Sequence, residues 1–542
     1  MFPYVAETFT DEEAAILRPY FTNLDGPVFA LVNLPEVVKG ALFARYSRSS
    51  KSLRRLFLDE FVGDLDLSGD LSFDASIGLH RAEELYEKVF FEYGDDSVAQ
   101  LGGVHLACEQ ASNVLTKILE WGRLMSYLEQ STRYLGYDNR LHTGHYRYYR
   151  APEILESSLG ARYIGDCDRM FDAYAAMLPA VQSWLTKRFP QERGDSDFVY
   201  RQAIRAKALD AVRGVLPAAA ISNLGIYGTG QGYEMLLLRM RAHPLPEARR
   251  YADLMLEELR KVIPSFLRRV DLEDRGQRWS DHLSGTATAA SRVAEELWPD
   301  AVDEELVEGL PDGEVALVDF DPEGEDKVLA AIAFESTRLS EAEALARVRR
   351  LGTDERASLM AAYVGERENR RHKPGRAFER TGYRFEFVSD YGAFRDLQRH
   401  RLLTIEWQPL SPSLGYDLPT IVEESGQASA YAETMERSRD LYDELQEEFP
   451  EQAPYAVALA YRIHYSMQMN AREAMHLIEL RSGPQGHPSY RRLAQQMHTS
   501  IAEVAGHRLI AEAMTHVDHG STDLERLEAE RAAERRRTGA LG

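Results

Sequence analysis

The chain has 542 residues, a formal net charge of −23, 44% hydrophobic and 10% aromatic residues, and two cysteines, Cys108 and Cys167. The length predicts about two to four domains with ordinary packed cores. The acidity argues against broad binding to nucleic acid or anionic membranes, and two cysteines exclude a disulfide framework or a cysteine-built zinc site.

The first stretch, MFPYVAETFTDEEAAIL, is acidic where a secretory signal would be basic, and no apolar run is long enough to cross a bilayer. The expected location is therefore cytoplasmic. A strand is predicted at 27–34 (PVFALVNL). Residues 104–125 predict a helix, because Leu106, Ala111, Val114, Leu115, Ile118 and Leu119 fall near helical spacing. Gly228-Thr229-Gly230-Gln231-Gly232 reads as a loop, lacking the strand and downstream acid of a dinucleotide fingerprint. Amphipathic helices are predicted over 250–268 and 429–448. Further short strands are predicted at 314–320 (EVALVDF) and 383–388 (YRFEFV). The last stretch, 523–537, has no core-forming stripe and predicts an exposed helix whose terminal arginines suit the helix dipole. The fold class is helix-rich α+β.

The chain repeats itself. LGYD occurs at 135–138 and 414–417, a similar distance after Arg123 and Arg401. Each copy also carries an upstream strand, Pro-Glu, an Ala-rich helix, and later LLLR (236–239) or IELR (478–481). The shared order of features points to tandem duplication. The expected organisation is a first copy over 1–275, a linker with a short acidic helix over 276–313, a second copy over 314–510, and a charged helical tail over 511–542.

Two motifs carry chemistry. In SYLEQSTRYLGYD (126–138), Glu129, Ser131 and Arg133 occupy alternate positions, with Tyr134 beside them. If the segment is extended, all three share a face and could grip a nucleotide, Arg taking phosphate and Glu a base or sugar. Two basic runs, 45–55 (RYSRSSKSLRR) and 367–376 (RENRRHKPGR), stand out in an acidic chain. Solvated faces are the commoner role of such runs, and their neighbours must decide. His142 with His145, and His516 with Asp518 and His519, have metal-ligand types but no third partner at a convincing spacing, so no metal is expected.

These residues resemble the flavin-dependent thymidylate synthases, a family with an Arg-His-Arg triplet followed by Glu-x-Ser-x-Arg-Tyr. The likeness covers 93–134, 208–227 and 236–252 in the first copy, and 377–401 and 470–497 in the second. The second copy keeps the triplet as Arg399-His400-Arg401 and the Asn-x-Arg flavin contact as Asn470 and Arg472, with His476 one turn on. The first copy reads Trp121-Gly122-Arg123 at the triplet and Gly228-Thr229-Gly230 at Asn-x-Arg, but keeps the nucleotide loop as Glu129, Ser131, Arg133 and Tyr134. In the second copy Pro409 and Ser411 stand where that loop's Ser and Arg belong. The family's uracil-activating arginine matches Arg239 and Arg481. Ser47 resembles another flavin contact, and Arg380 stands where the family has a flavin-contacting His.

The resemblance implies reductive methylation of dUMP or a related pyrimidine nucleotide, with methylenetetrahydrofolate and NADPH as co-substrates and FAD as cofactor. One copy keeps the nucleotide contacts and the other most flavin contacts, so it further implies composite sites and a homodimer forming a pseudo-tetramer. The competing reading is a catalytically inactive binding or scaffold protein that descends from the enzyme and retains FAD or nucleotide.

Overall fold

The computed structural model describes residues 4–34, 42, 46, 49–60, 103–193, 196–299 and 314–520. Among the described residues eight strands form two four-stranded antiparallel sheets: β1 (Val28–Leu31), β2 (Gly103–Ser112), β3 (Ser126–Glu129) and β4 (Ile221–Thr229), then β5 (Val315–Phe320), β6 (Gly382–Asp390), β7 (Leu403–Trp407) and β8 (Arg462–Asn470). The strand orders are β1-β2-β4-β3 and β5-β6-β8-β7, one topology used twice. The duplication read from LGYD is thus a duplication of fold. Among the described residues no helix is long and apolar enough to cross a membrane.

The predicted strands at 27–34, 314–320 and 383–388 appear as β1, β5 and β6, and the predicted helix at 429–448 as Ala428–Glu448. The helix predicted over 104–125 does not form as one element: β2 runs to Ser112 and only Asn113–Leu119 is helical. β2 is central, with Val104, Leu106, Ala107, Cys108 and Ala111 all buried. A strand covered on both faces reads as a near-continuous apolar run, which periodicity alone cannot separate from a buried helix. A bulge between Cys108 and Ala111, with Gln110 at φ 60°, further breaks the two-residue alternation. The helix predicted over 250–268 is two pieces, Pro246–Arg260 and Pro264–Leu267, because Pro264 cannot donate to a continuing helical ladder. Residues 276–313 hold a longer helix than expected, Arg278–Leu297, exposed along nearly its whole length. The tail helix expected at 523–537 and the flavin contact expected at Ser47 lie outside the described residues.

The described residues form two compact units that do not follow the chain order of the copies. The first comprises 1–178, 215–306 and 428–458; the second comprises 179–214, 307–427 and 459–542. The first unit therefore includes helix Ala428–Glu448 from the second copy, burying Tyr431, Met435 and Leu441. There, Ala218 N–H donates to the Val457 carbonyl at 2.7 Å and Ala219 N–H to the Tyr455 carbonyl at 2.9 Å. The second unit includes helix Asp197–Val212 from the first copy, where Ala460 N–H donates to the Gly214 carbonyl at 2.9 Å. Each compact unit thus includes a helical segment from the other repeat.

Candidate functional site

In the second unit two strand-to-helix junctions build the site. β6 runs into helix Tyr391–Leu397, whose N-cap Asp390 accepts from Ala393 N–H at 2.9 Å. That short helix delivers Arg399-His400-Arg401 just before β7. β8 runs into helix Ala471–Arg481, where Asn470 Oδ1 accepts from Glu473 N–H at 2.9 Å. The cap fixes the first turn, and Glu473 and His476, three residues apart, share a face of the helix.

The two junctions meet at His400. Arg481 Nε donates to His400 Nε2 at 3.0 Å, and His400 Nδ1 lies 3.2 Å from Glu473 Oε1. A guanidinium can only donate, so Nε2 is the lone-pair nitrogen and the proton sits on Nδ1, donated to Glu473. His476 packs beside this pair, ring centroids 5.5 Å apart. Burial, reinforced by Arg481, His476, Arg399 and Lys373, holds His400 well below the ordinary histidine range. Burial and neighbouring cations bring His476 down to about 4. Burial pushes Glu473 up to about 7, against the pull of Lys373, Arg401 and Arg472. Burial also lowers Lys373 and Arg481.

His400, Glu473 and His476 hold ligand atoms within 4.8 Å of one another. Their surroundings nevertheless suit an anion. Both His400 nitrogens are engaged, and Lys373, Arg370, Arg472 and Arg481 all bear on His476. A divalent cation would meet this field as a like charge.

The basic run 367–376 is partly interior. Arg367 and Glu479 form a bidentate pair with both contacts at 2.6 Å and both side chains 1% exposed. Arg367 also donates to the carbonyls of His372 and Ala513 at 2.6 and 2.7 Å. Arg472 Nε donates to the Pro374 carbonyl at 3.0 Å. These bonds hold the loop bearing Arg370 and Lys373 against helix Ala471–Arg481.

Of the residues expected from sequence, His400, His476, Arg472 and Arg481 gather around Glu473, with the charges of Arg399 and Arg401 acting on the same group. Arg399 is bridged to Asp396, and Asn470 serves as the cap. Arg380 is exposed and donates to Glu341 at 2.6 Å. Glu473, Lys373, Arg367 and Glu479 were missed. A signal for Glu473 existed: it stands three residues from both Asn470 and His476, one helical turn each way.

The first unit differs at each of these places. β3 ends at Glu129 and residues 132–134 turn, so the extended geometry expected for Glu129, Ser131 and Arg133 stops at its first member. Glu129 is buried with Lys117 Nζ at 3.3 Å, and Lys117 also bridges Glu120. Ser131 Oγ accepts from Arg133 N–H at 3.2 Å, Arg133 is 8% exposed, and Tyr134 is exposed. Gly228–Gly232 is not a loop: β4 ends at Thr229, which caps helix Gly230–Ala242 by accepting from Gly232 N–H at 3.3 Å. Thr229 pairs with Gly103 as Asn470 pairs with Gly382, so the counterpart of Asn470 is Thr229 rather than Gly228. Arg239 then sits ten residues past its cap and Arg481 eleven, a difference of about 100° around the helix axis. Arg239 stacks instead on Trp121, its Cζ 4.6 Å from the ring centroid, with its Nε buried and lacking a hydrogen-bond partner.

A sequence model of the family described as thymidylate synthase complementing protein matches residues 44–265 and 316–506. The chain is 39% identical over 528 residues to a UPF0159 protein of Chlamydia muridarum, covering 96% of this chain and 98% of that one. It is 33% identical over 519 residues to a UPF0159 protein of Thermoplasma acidophilum, covering 91% and 97% respectively. A solved structure of a UMP/dUMP methylase, PolB from Streptomyces cacaoi bound with 5-Br dUMP, matches 38% of this chain and 94% of its own at 20% identity, with a TM-score of 0.29.

Proposed function

Because the chain belongs to the thymidylate synthase complementing protein family, we propose that it methylates dUMP or a related uracil nucleotide at C5. In this reading methylenetetrahydrofolate supplies the carbon, NADPH the electrons, and FAD is the cofactor. The observation that carries it is the Glu473–His400–Arg481 chain set among Lys373, Arg370, Arg399, Arg401 and Arg472.

The donor set fits a flavin diphosphate. Around His400 and His476 the cations outnumber Glu473, and a bound anion would balance that excess through charge-assisted hydrogen bonds. Arg399, Arg401, Arg472, His476 and Lys373 would hold it, around the His400 ring. When bound, FAD supplies the hydride that reduces the transferred carbon. Arg481 would stabilise negative charge developing on the pyrimidine, a preorganised role worth about 3–4 kcal/mol in comparable sites. Ser131, Arg133 and Tyr134 of the first copy would meet the nucleotide. Glu129, committed to Lys117, braces the strand end behind them. The same reading makes the assembly a homodimer carrying four repeats, checked by light scattering.

The test has two steps. Purified protein should carry FAD or take it up, seen as flavin absorbance. It should then release tritium from 5-tritiated dUMP or UMP with methylenetetrahydrofolate and NADPH. A protein that neither carries nor takes up FAD would end this reading. The second reading, binding without turnover, draws on the first unit, where Gly122 and Trp121 replace triplet residues and Arg239 is stacked away. Flavin binding without tritium release from any uracil nucleotide would favour it.

A further inference from the structure

We propose that Glu473 is a positioning residue, fixing the Arg481 guanidinium through His400. The inference rests on the role given above to Arg481.

Two arginines are tied to helix Ala471–Arg481 in different ways. Arg367 meets Glu479 directly, with two contacts at 2.6 Å, and its charge is neutralised in place. Arg481 meets an imidazole on its Nε edge, while the charge of the Asp396 carboxylate, itself bridged to Arg399, acts on it. It donates to the lone pair of a neutral imidazole at 3.0 Å, and the carboxylate lies on the far side of that ring at 3.2 Å. The Tyr490 ring, 5.3 Å from its Cζ, packs against it. An interposed imidazole orients the guanidinium while keeping the Glu473 carboxylate off its Nε edge. Glu473 sets the direction of the chain: as an ionised acceptor it keeps the His400 proton on Nδ1 and Nε2 open to Arg481. A protonated Glu473 would donate to Nδ1, move the ring proton to Nε2, and set N–H against N–H.

The groups facing this chain agree. Arg481, His476, Arg399 and Lys373 face His400, and all oppose a protonated ring. Lys373, Arg401 and Arg472 face Glu473 and favour its ionised form, while burial pushes its carboxyl up to about 7. The latch is therefore set above neutrality and released as pH falls through that range. The first copy has no such latch: by the caps and the triplet, Gly122, Gly232 and Met235 stand where His400, Glu473 and His476 do.

Full-length Glu473→Gln and Glu473→Ala variants test this. Both keep the backbone N–H that Asn470 caps. Glutamine still offers a carbonyl to His400 Nδ1, so its kcat at pH 8 should stay within about threefold of wild type, and it should lose the acid limb near pH 7. Alanine should lower kcat about 10²-fold with little change in the KM for nucleotide, as when one preorganised donor is lost. ¹⁵N-histidine spectra, which need no turnover, should show His400 protonated at Nδ1 in wild type and Glu473→Gln at pH 8. An Nε2-protonated ring in wild type would overturn the inference. So would an alanine variant with unchanged kcat, or a glutamine variant that keeps the acid limb. If wild type shows the Nδ1 tautomer at pH 8 and loses it below pH 7, yet methylates no uracil nucleotide, the latch stands and the proposed function fails.

Discussion

The two sheets share one topology, yet the same structural positions hold different chemistry. The cap before the short helix is Ser112 in one unit and Asp390 in the other. Ser112 Oγ donates to Glu247 at 2.6 Å, whereas Asp390 accepts from Ser489, and Glu247 and Ser489 occupy the same second helical position after proline. A carboxylate and a hydroxyl have traded places across one contact, so the fold demands the pair and not its direction. The exchanged segment completes each pair: Tyr455 donates to Glu247 at 2.7 Å, and Arg213 bears on Asp390. At the site the copies diverge without such compensation. A Cβ on Gly122 would meet the Tyr127 hydroxyl at 2.6 Å, so the space of the His400 side chain is already filled in the first unit. Packing interchange preserves a fold cheaply, whereas a charged site is kept whole or dismantled.

The largest contrast should lie at Glu479, whose counterpart by cap register is the buried Leu238. Glu479→Ala leaves Arg367 as an uncompensated buried cation and should cost about 3–5 kcal/mol in denaturant unfolding. The Arg367→Met, Glu479→Leu pair should recover most of that. A single variant with no loss would show that the pair does not brace the loop.

Next come the two arginines. Arg481→Lys should lower the rate of tritium release about 10²-fold, because lysine cannot offer the Nε edge to His400 while presenting a fork to substrate. Arg239→Lys should change it less than about threefold, on the same scale of effects. Equal losses would mean that the rotated position still reaches substrate.

The traded carboxylates predict a pH dependence. Burial holds Glu247 up to about 7 and Asp390 up to about 6. A raised carboxyl contributes its stability fully below the ordinary carboxylate range and loses it as pH rises through the folded value. Glu247→Gln should therefore gain on wild type between pH 5 and 8, by about 1–3 kcal/mol. Asp390→Asn should show the same sign in a lower window, about pH 4 to 6, and a smaller gain because Arg213 offsets the burial. A gain that shrinks as pH rises would contradict the assignment.

The smallest effect belongs to Arg380, half exposed and paired with Glu341. Arg380→Ala should change stability by less than about 1 kcal/mol. It should leave FAD affinity, read by flavin fluorescence, within about twofold, a change below that same limit. A tenfold loss would restore Arg380 to the flavin site.

Much of the fold was legible locally. Short runs rich in strand-forming residues marked β5 and β6, and the amphipathic period marked Ala428–Glu448. β4 went unseen because it carries Gly225 and Gly228 and the run Gly228–Gly232 reads as a loop, and β8 because Arg462–Asn470 holds only one β-branched residue. At the site the triplet, Asn470, Arg472, His476 and Arg481 were found by motif. Glu473 was not, because a helical glutamate reads as a solvated charge until its burial is known. The basic run 367–376 was noticed without a role, since only its partner Glu479 separates an interior ion pair from a surface patch.

Chain order and side-chain type alone determined the duplication and the identity of the charged groups, since these are written in the order of residues along the chain. Which group faces which was left to the tertiary structure. His400 and Glu473 are 73 residues apart, and Arg367 and Glu479 are 112 apart. Such pairs exist only once the sheets are built, and burial then shifts the protonation of His400 and Glu473.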